Sequence, residues 1–153
     1  MIQGAALRPL TRHVDARGSL TELLRSDWPE FDGFGQATVT VNLPSVVRAW
    51  HWHERQTDRF VVVAGTAKIA LYDARPGSTT HREVNDFVLG ADDFALLIVP
   101  PGVYHGYVTV GDEPALIINF PDHVYDPGSP DEGRVPFDSP EIPYRWGGPE
   151  LRS

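Results

Sequence analysis

His51 and His53 stand one residue apart, Asp58 follows after a gap of four, and a third imidazole, His105, ends the turn-like run Pro100-Pro101-Gly102-Val103-Tyr104-His105. Imidazole changes charge near neutral pH and binds divalent metals through either ring nitrogen. Three imidazoles and one carboxylate therefore support two chemistries. One is a metal site for Fe(II), Mn(II), Ni(II) or Zn(II), with His51, His53, Asp58 and His105 as ligands. The other is acid/base work on a bound small molecule. The pair flanked by Trp50 and Trp52 also fits a plainer role as a packed, hydrogen-bonded interior pair. Asp92-Asp93 reads as a solvated turn, Asp73 and Arg75 as a strand-end ion pair, and Asp131-Glu132 as surface. No G-x-G-x-x-G, P-loop or G-x-S-x-G run is present, so nucleotide folds and serine hydrolases lack support.

Two histidines at i and i+2 share a face only on a strand, where side chains alternate with period two. The chain supplies such strands throughout. Residues 36–43, 46–53, 59–65, 67–74, 83–90, 94–100, 105–111 and 115–121 are short, β-branched or aromatic, and punctuated by Pro, Gly, Asp and Asn. One short helix or turn is expected near Ser26 to Phe31. The fold class that follows is all-β, an antiparallel double-sheet jelly roll forming one domain over residues 1–153. Arg48 is awkward: simple alternation sets it opposite His51, so both reach one face only if the strand starts or bulges between them. After Asp122 the pattern changes. Six prolines between Pro127 and Pro149 make residues 122–153 an extended Pro-rich C-terminal arm, expected to drape over the surface or reach a second subunit.

Composition narrows the setting. With no cysteine, disulfides, zinc-thiolate fingers and thiol nucleophiles are excluded together. The 21 acidic residues against 13 Lys plus Arg, scattered and with Lys68 the sole lysine, argue against a nucleic-acid partner. An anionic ligand would be held by a few local arginines. The amino terminus has no long apolar stretch after its charges, and no run approaches the ~18 apolar residues of a membrane span. A soluble, cytoplasmic protein without a membrane partner is expected.

The order His51, His53, Asp58, Gly65 resembles the first cupin motif, with Asp in the usual place of Glu. Pro100-x-Gly102-x-x-His105 resembles the second, with Thr109 where an asparagine is usual. Further runs widen the likeness: Asp15-x-Arg17-Gly18, Phe34-Gly35-Gln36, Val47-Arg48-Ala49-Trp50-His51, Tyr72-Asp73-x-Arg75 and Ile142-Pro143-Tyr144-Arg145-Trp146. From about Gly4 to Trp146 the chain resembles the dTDP-4-dehydrorhamnose 3,5-epimerase family of sugar-nucleotide epimerase-like cupins, as a short divergent branch. The resemblance implies a homodimeric jelly roll, strands near the amino terminus that cross to the partner, no cofactor, and a dTDP-sugar as the small-molecule partner. It implies His51 as the base that removes protons next to the C4 ketone, His105 in the site, and Arg17 and Arg48 on the nucleotide, with Gln36 also on substrate.

The departures are specific. The family lysine falls on Asp58, the family tyrosine on Asn119, and the aspartate that supports the base lies past Ser153. His53, Tyr107 or Asn119 would then stand in for the missing helpers, which makes His51, His53, His105, Asp58 and Asn119 the candidate catalytic set and Arg17, Gln36, Arg48 and Tyr107 the candidate substrate contacts. Arg48-x-x-His51-x-His53 alone also resembles the 3,4-ketoisomerases of the same sugar class. A cupin carrying one divalent transition metal and a non-catalytic sugar-nucleotide binder remain as further alternatives.

Overall fold

The structure, a computed structural model, describes residues 1–147 and 151–153, so Pro149 of the arm lies outside the described residues. Every strand expected from the alternation forms: β4 (Thr38–Asn42), β5 (Val47–Trp52), β6 (Asp58–Ala64), β7 (Thr66–Asp73), β8 (Val84–Gly90), β9 (Ala95–Val99), β10 (Val103–Thr109) and β11 (Ala115–Asn119). Four more were not read from the sequence: β1 (Ala6–Pro9), β2 (Arg12–Asp15), β3 (Gly18–Thr21) and β12 (Gly133–Arg134). One five-stranded sheet runs β1-β9-β6-β11-β4 and the other β12-β5-β10-β7-β8, with β2 and β3 as a separate hairpin. The ladders are antiparallel. This is the cupin-type double-sheet jelly roll.

Alternation explains the layers. On β6, Phe60 and Val62 point between the sheets with Ile69, Leu71, Leu97, Val103 and Ile117, while Val61 joins Leu96 and Ile98 on the outer face under Leu23, Leu24 and Trp28. Near Ser26 to Phe31 the chain makes turns, Trp28 N–H to the Arg25 carbonyl and Phe31 N–H to the Trp28 carbonyl, and no helix. Pro29 disfavours the helical region for Trp28 and has no N–H to give.

The arm covers the outer face of the second sheet, where Ile142, Trp146, Val135, Phe137 and Tyr144 pack on Val47, Trp50 and Tyr72. Trp50 is fully buried there. On β5 the ladder pairs His51 with His105 but Arg48 with Tyr107, so three steps on β5 match two on β10. That extra residue is a bulge. Ala49 and Trp50 both join the outer cluster, and Arg48 and His51 share the inner face, which resolves the conflict with simple alternation. Gly106 is needed opposite, since a Cβ there would collide with Ala49. No helix among the described residues is long and apolar enough to cross a membrane.

Candidate active site

The inner faces diverge at one end around a cavity of about 460 Å³. β5 and β10 supply His51, His105 and Tyr107 to one wall, with His53 just past the end of β5; β6 and β11 supply Asp58, Phe60 and Asn119 to the other. Residues 121–132, between β11 and β12, close over the mouth and add His123, Tyr125, Asp131 and Glu132.

Asp58 is the buried anchor, 1% exposed. Its Oδ1 accepts from Gln56 Nε2 and Asn119 Nδ2, each at 2.8 Å. Its Oδ2 faces His53 Nε2 at 3.0 Å and His105 Nε2 at 3.1 Å. Burial alone would raise its pKa, but the hydrogen bonds and charge of His105 and His53 outweigh it and hold the carboxyl well below the usual range. Asn119 is fixed from behind, its Oδ1 accepting Arg59 N–H at 2.9 Å.

The two histidines on either side of Trp52 have different partners. His51 Nδ1 lies 2.9 Å from Glu132 Oε1. His53 Nδ1 meets the Asp131 backbone carbonyl, while the Asp131 carboxylate accepts the N–H groups of Glu54, Arg55 and Gln56 at 2.8, 3.0 and 3.1 Å. Burial lowers the His51 pKa below 6.5, only partly opposed by the Glu132 hydrogen bond, and His105 lowers it further. Burial would lower His53 too, yet the hydrogen bond and charge of Asp58, with the Asp131 carbonyl, raise it above 6.5. Neighbouring imidazoles are thus pushed in opposite directions. Tyr107 is raised by burial, partly opposed by Thr40 and Arg48.

Of the candidates read from the sequence, Gln36, His51, His53, Asp58, His105, Tyr107 and Asn119 line the cavity. Arg48 lies on the same inner face but gives its Nε to Asn42 Oδ1 at 3.1 Å and does not line the cavity. Arg17 is elsewhere, on the β2–β3 hairpin, paired with Asp15 at 2.5 Å and 90% exposed. The Asp73–Arg75 ion pair forms at 2.8 Å, and Asp92 and Asp93 are exposed.

Two expectations need correction. Asp131 and Glu132 are half-buried in the site instead of lying on the open surface. The four-ligand metal site is not assembled either. Among the described residues His53, Asp58 and His105 bring ligand atoms within 4.8 Å of one another, and His51 is not part of the group. Asp58 Oδ1 accepts from two amides, while Oδ2 with His53 Nε2 and His105 Nε2 forms a set that fits either a hydrogen-bonded cluster or a three-ligand site.

The residues of this site fall within a recognised family. The model of the polysaccharide biosynthesis C-terminal domain matches residues 13–132. The chain belongs to this family. The chain is similar to the spore coat polysaccharide biosynthesis protein SpsL of Bacillus subtilis, 40% identical over 95% of this chain and 97% of that protein. It is also similar to the probable low-salt glycan biosynthesis epimerase Agl13 of Haloferax volcanii, 40% identical over 95% and 94% of the two chains. A solved dTDP sugar isomerase from Desulfovibrio desulfuricans superposes with a TM-score of 0.90 at 36% identity, covering 98% of this chain and 95% of that one. The likeness to sugar-nucleotide epimerase-like cupins thus holds along nearly the whole length.

Proposed function

We propose that this protein is an epimerase or isomerase of a dTDP-linked 4-keto-6-deoxy sugar, works without a cofactor, and uses His51 to take a proton from the carbon next to the C4 ketone. The observation that carries the reading is the state of His51. It lines the cavity, its Nδ1 is engaged by Glu132, its pKa is lowered, and Nε2 has no hydrogen-bond partner among the described residues. A ketone acidifies the neighbouring C–H bonds, so a neutral imidazole with its pKa near working pH suffices, provided the enolate oxygen meets positive charge or a donor. The relatives agree: one is a probable low-salt glycan biosynthesis epimerase and another a dTDP sugar isomerase.

A second reading has its own support. Inversion needs a proton from the face opposite the base, and the facing wall offers Asn119, an amide held by Asp58 and Arg59. A 3,4-ketoisomerase needs only one base to carry a proton between adjacent carbons. Proton NMR of the protein with dTDP-4-keto-6-deoxyglucose in deuterated water separates these. Exchange at C3 and C5, or at C3 with inversion, supports the epimerase; transfer of the keto group supports the ketoisomerase; neither outcome leaves a binder.

The reading includes a homodimer, in which the hairpin with Val14 72% and Leu20 62% exposed packs on a second copy and brings Arg17 toward the nucleotide. Sedimentation showing only monomer at micromolar concentration would contradict it. Elemental analysis of untagged protein tests the absence of a cofactor: a stoichiometric transition metal whose chelation removes activity overturns that part.

A further inference from the structure

Two consecutive residues of the C-terminal arm each place an acceptor on Nδ1 of one histidine of the site, and the two rings differ at the other nitrogen. Glu132 presents a carboxylate oxygen to His51 Nδ1. A carboxylate only accepts, so Nδ1 carries the hydrogen, and in the neutral ring Nε2 is left with its lone pair. Asp131 presents its backbone carbonyl to His53 Nδ1, while Asp58 presents Oδ2 to His53 Nε2. Both of those groups accept as well. A ring whose two nitrogens both face acceptors is stabilised as the imidazolium; His105 is placed in a similar way, with Nδ1 3.2 Å from the Val103 carbonyl and Nε2 on Asp58, but only His53 has the second acceptor supplied by the arm.

We propose that the acceptors of the Asp131-Glu132 dipeptide, together with Asp58 on His53 Nε2, divide the histidine pair into a free base at His51 and a fixed cation at His53, and that the His53 charge acts through space on the enolate formed when His51 takes its proton. This rests on the reading above for the identity of the substrate, though not for the state of the two rings. The opposite directions in which burial and neighbouring carboxylates move His51 and His53 agree with the division. The titratable and charged groups facing the pair are Asp58, His105, Asp131, Glu132 and Arg134.

The dipeptide is held firmly enough to do this. The Asp131 carboxylate takes three successive N–H groups of the loop after His53. Immediately after Glu132, Gly133 and Arg134 pair with Trp52 and His51 as β12, and Val135 exchanges two backbone hydrogen bonds with Trp50 at 2.8 and 3.0 Å. A Cβ at position 133 would collide with the Trp52 ring, so glycine is what allows the arm to lie this close to β5. Glu132 and Asp131 act through the histidines and are positioning residues.

Arg134 makes the idea testable. Its Nε and Nη2 donate to Glu132 Oε2 at 3.2 and 2.9 Å. In Glu132→Gln the amide oxygen should remain on those donors and turn the NH₂ toward His51, which forces the ring into the tautomer with hydrogen on Nε2 and blocks the base. Glu132→Ala only releases the ring. If Glu132 were a mere tether, Gln would be the milder change; if it sets the tautomer, Gln is the harsher.

Long-range ¹⁵N–¹H correlation of the imidazole rings, on protein without substrate, should show His51 with hydrogen on Nδ1 alone and His53 with hydrogen on both nitrogens at neutral pH. In Glu132→Gln the His51 hydrogen should move to Nε2. Deuterium exchange into dTDP-4-keto-6-deoxyglucose should fall by about 10³–10⁴-fold in Glu132→Gln, the scale seen when an amide replaces a tautomer-setting carboxylate, and by less in Glu132→Ala. Native His51 with hydrogen on Nε2, a singly protonated His53, or Gln no worse than Ala in an active enzyme would each overturn the proposal. The stated ring states together with no exchange in native protein would support the division and overturn only the proposed substrate.

Discussion

The sheet walls and the C-terminal arm build the same site by different means. Asp58 and His105 face each other from the two sheets and are 1% and 4% exposed, whereas Asp131 and Glu132 come from an irregular segment and are half-buried. The walls place a carboxylate where burial would normally forbid it and satisfy it with four donors. The arm adds little to the core between the sheets, yet it places an acceptor on Nδ1 of both His51 and His53, while Asp58 of the wall engages the second nitrogen of His53. Within the site, stability and reactivity are therefore separable, with the walls carrying more of the first and residues 121–132 of the arm more of the second, while the rest of the arm closes the outer core over Trp50.

The harshest test on the reactive side is His51→Asn. It removes the base while keeping a polar tip of similar size, and His51 sits at the cavity edge with a quarter of its side chain exposed. Deuterium exchange should drop by at least about 10²–10⁴-fold while thermal melting hardly moves. Retained exchange would remove His51 from the mechanism. On the wall side, Asp58→Asn should act the other way round on the fold. It leaves two imidazoles facing an uncharged amide in a buried place, a loss of about 3–5 kcal/mol for breaking a buried pair. Chemical denaturation should show it as a large drop in midpoint. An unchanged midpoint would mean that the cluster is not structural.

How legible each part is follows from the same contrast. His51, His53, Asp58 and His105 could be read because strand alternation and motif spacing are local. The bulge that reconciles Arg48 with His51 could be posed as a condition but not located, since it depends on pairing with Tyr107 across fifty-odd residues of chain. The hairpin β2–β3 is not legible as strands because nearly all its residues are exposed and its two large apolar residues, Val14 and Leu20, form no alternating run. Glu132 was missed for a stronger reason. Its contact with His51 spans 81 positions and depends on an irregular arm whose path is set by Asp131 capping three N–H groups and by Gly133 fitting against Trp52. A carboxylate followed by glycine in a Pro-rich tail carries no period that would flag it.

A milder probe of the arm is Asp131→Ala. The backbone carbonyl that meets His53 survives, but its anchor on Glu54, Arg55 and Gln56 does not. Losing charge-assisted hydrogen bonds to partly exposed N–H groups should cost about 1–3 kcal/mol. If the arm mainly sets reactivity, the loss in kcat should exceed what the small fall in melting temperature explains. A fall in stability as large as that of Asp58→Asn would erase the distinction between wall and arm.

The finest distinction lies in the pH profile. The base must be neutral, so activity should rise with pH through the His51 value, which burial has moved below 6.5. The cation must stay charged, so activity should fall as pH climbs through the His53 value, which Asp58 and the Asp131 carbonyl have moved above 6.5. The result is a bell whose two limbs report neighbouring rings, with a plateau wider than two unperturbed histidines would give. The limbs should respond separately. Asp58→Asn withdraws the charge that supports the His53 cation, so the alkaline limb should move to lower pH, toward the acid limb, while that limb moves less because Glu132 still faces His51. Measured kcat/KM across pH in the two proteins checks it, since these are the ionisations of the free enzyme. Equal movement of both limbs would show that the two histidines titrate as one coupled unit, and that wall and arm do not act on separate rings.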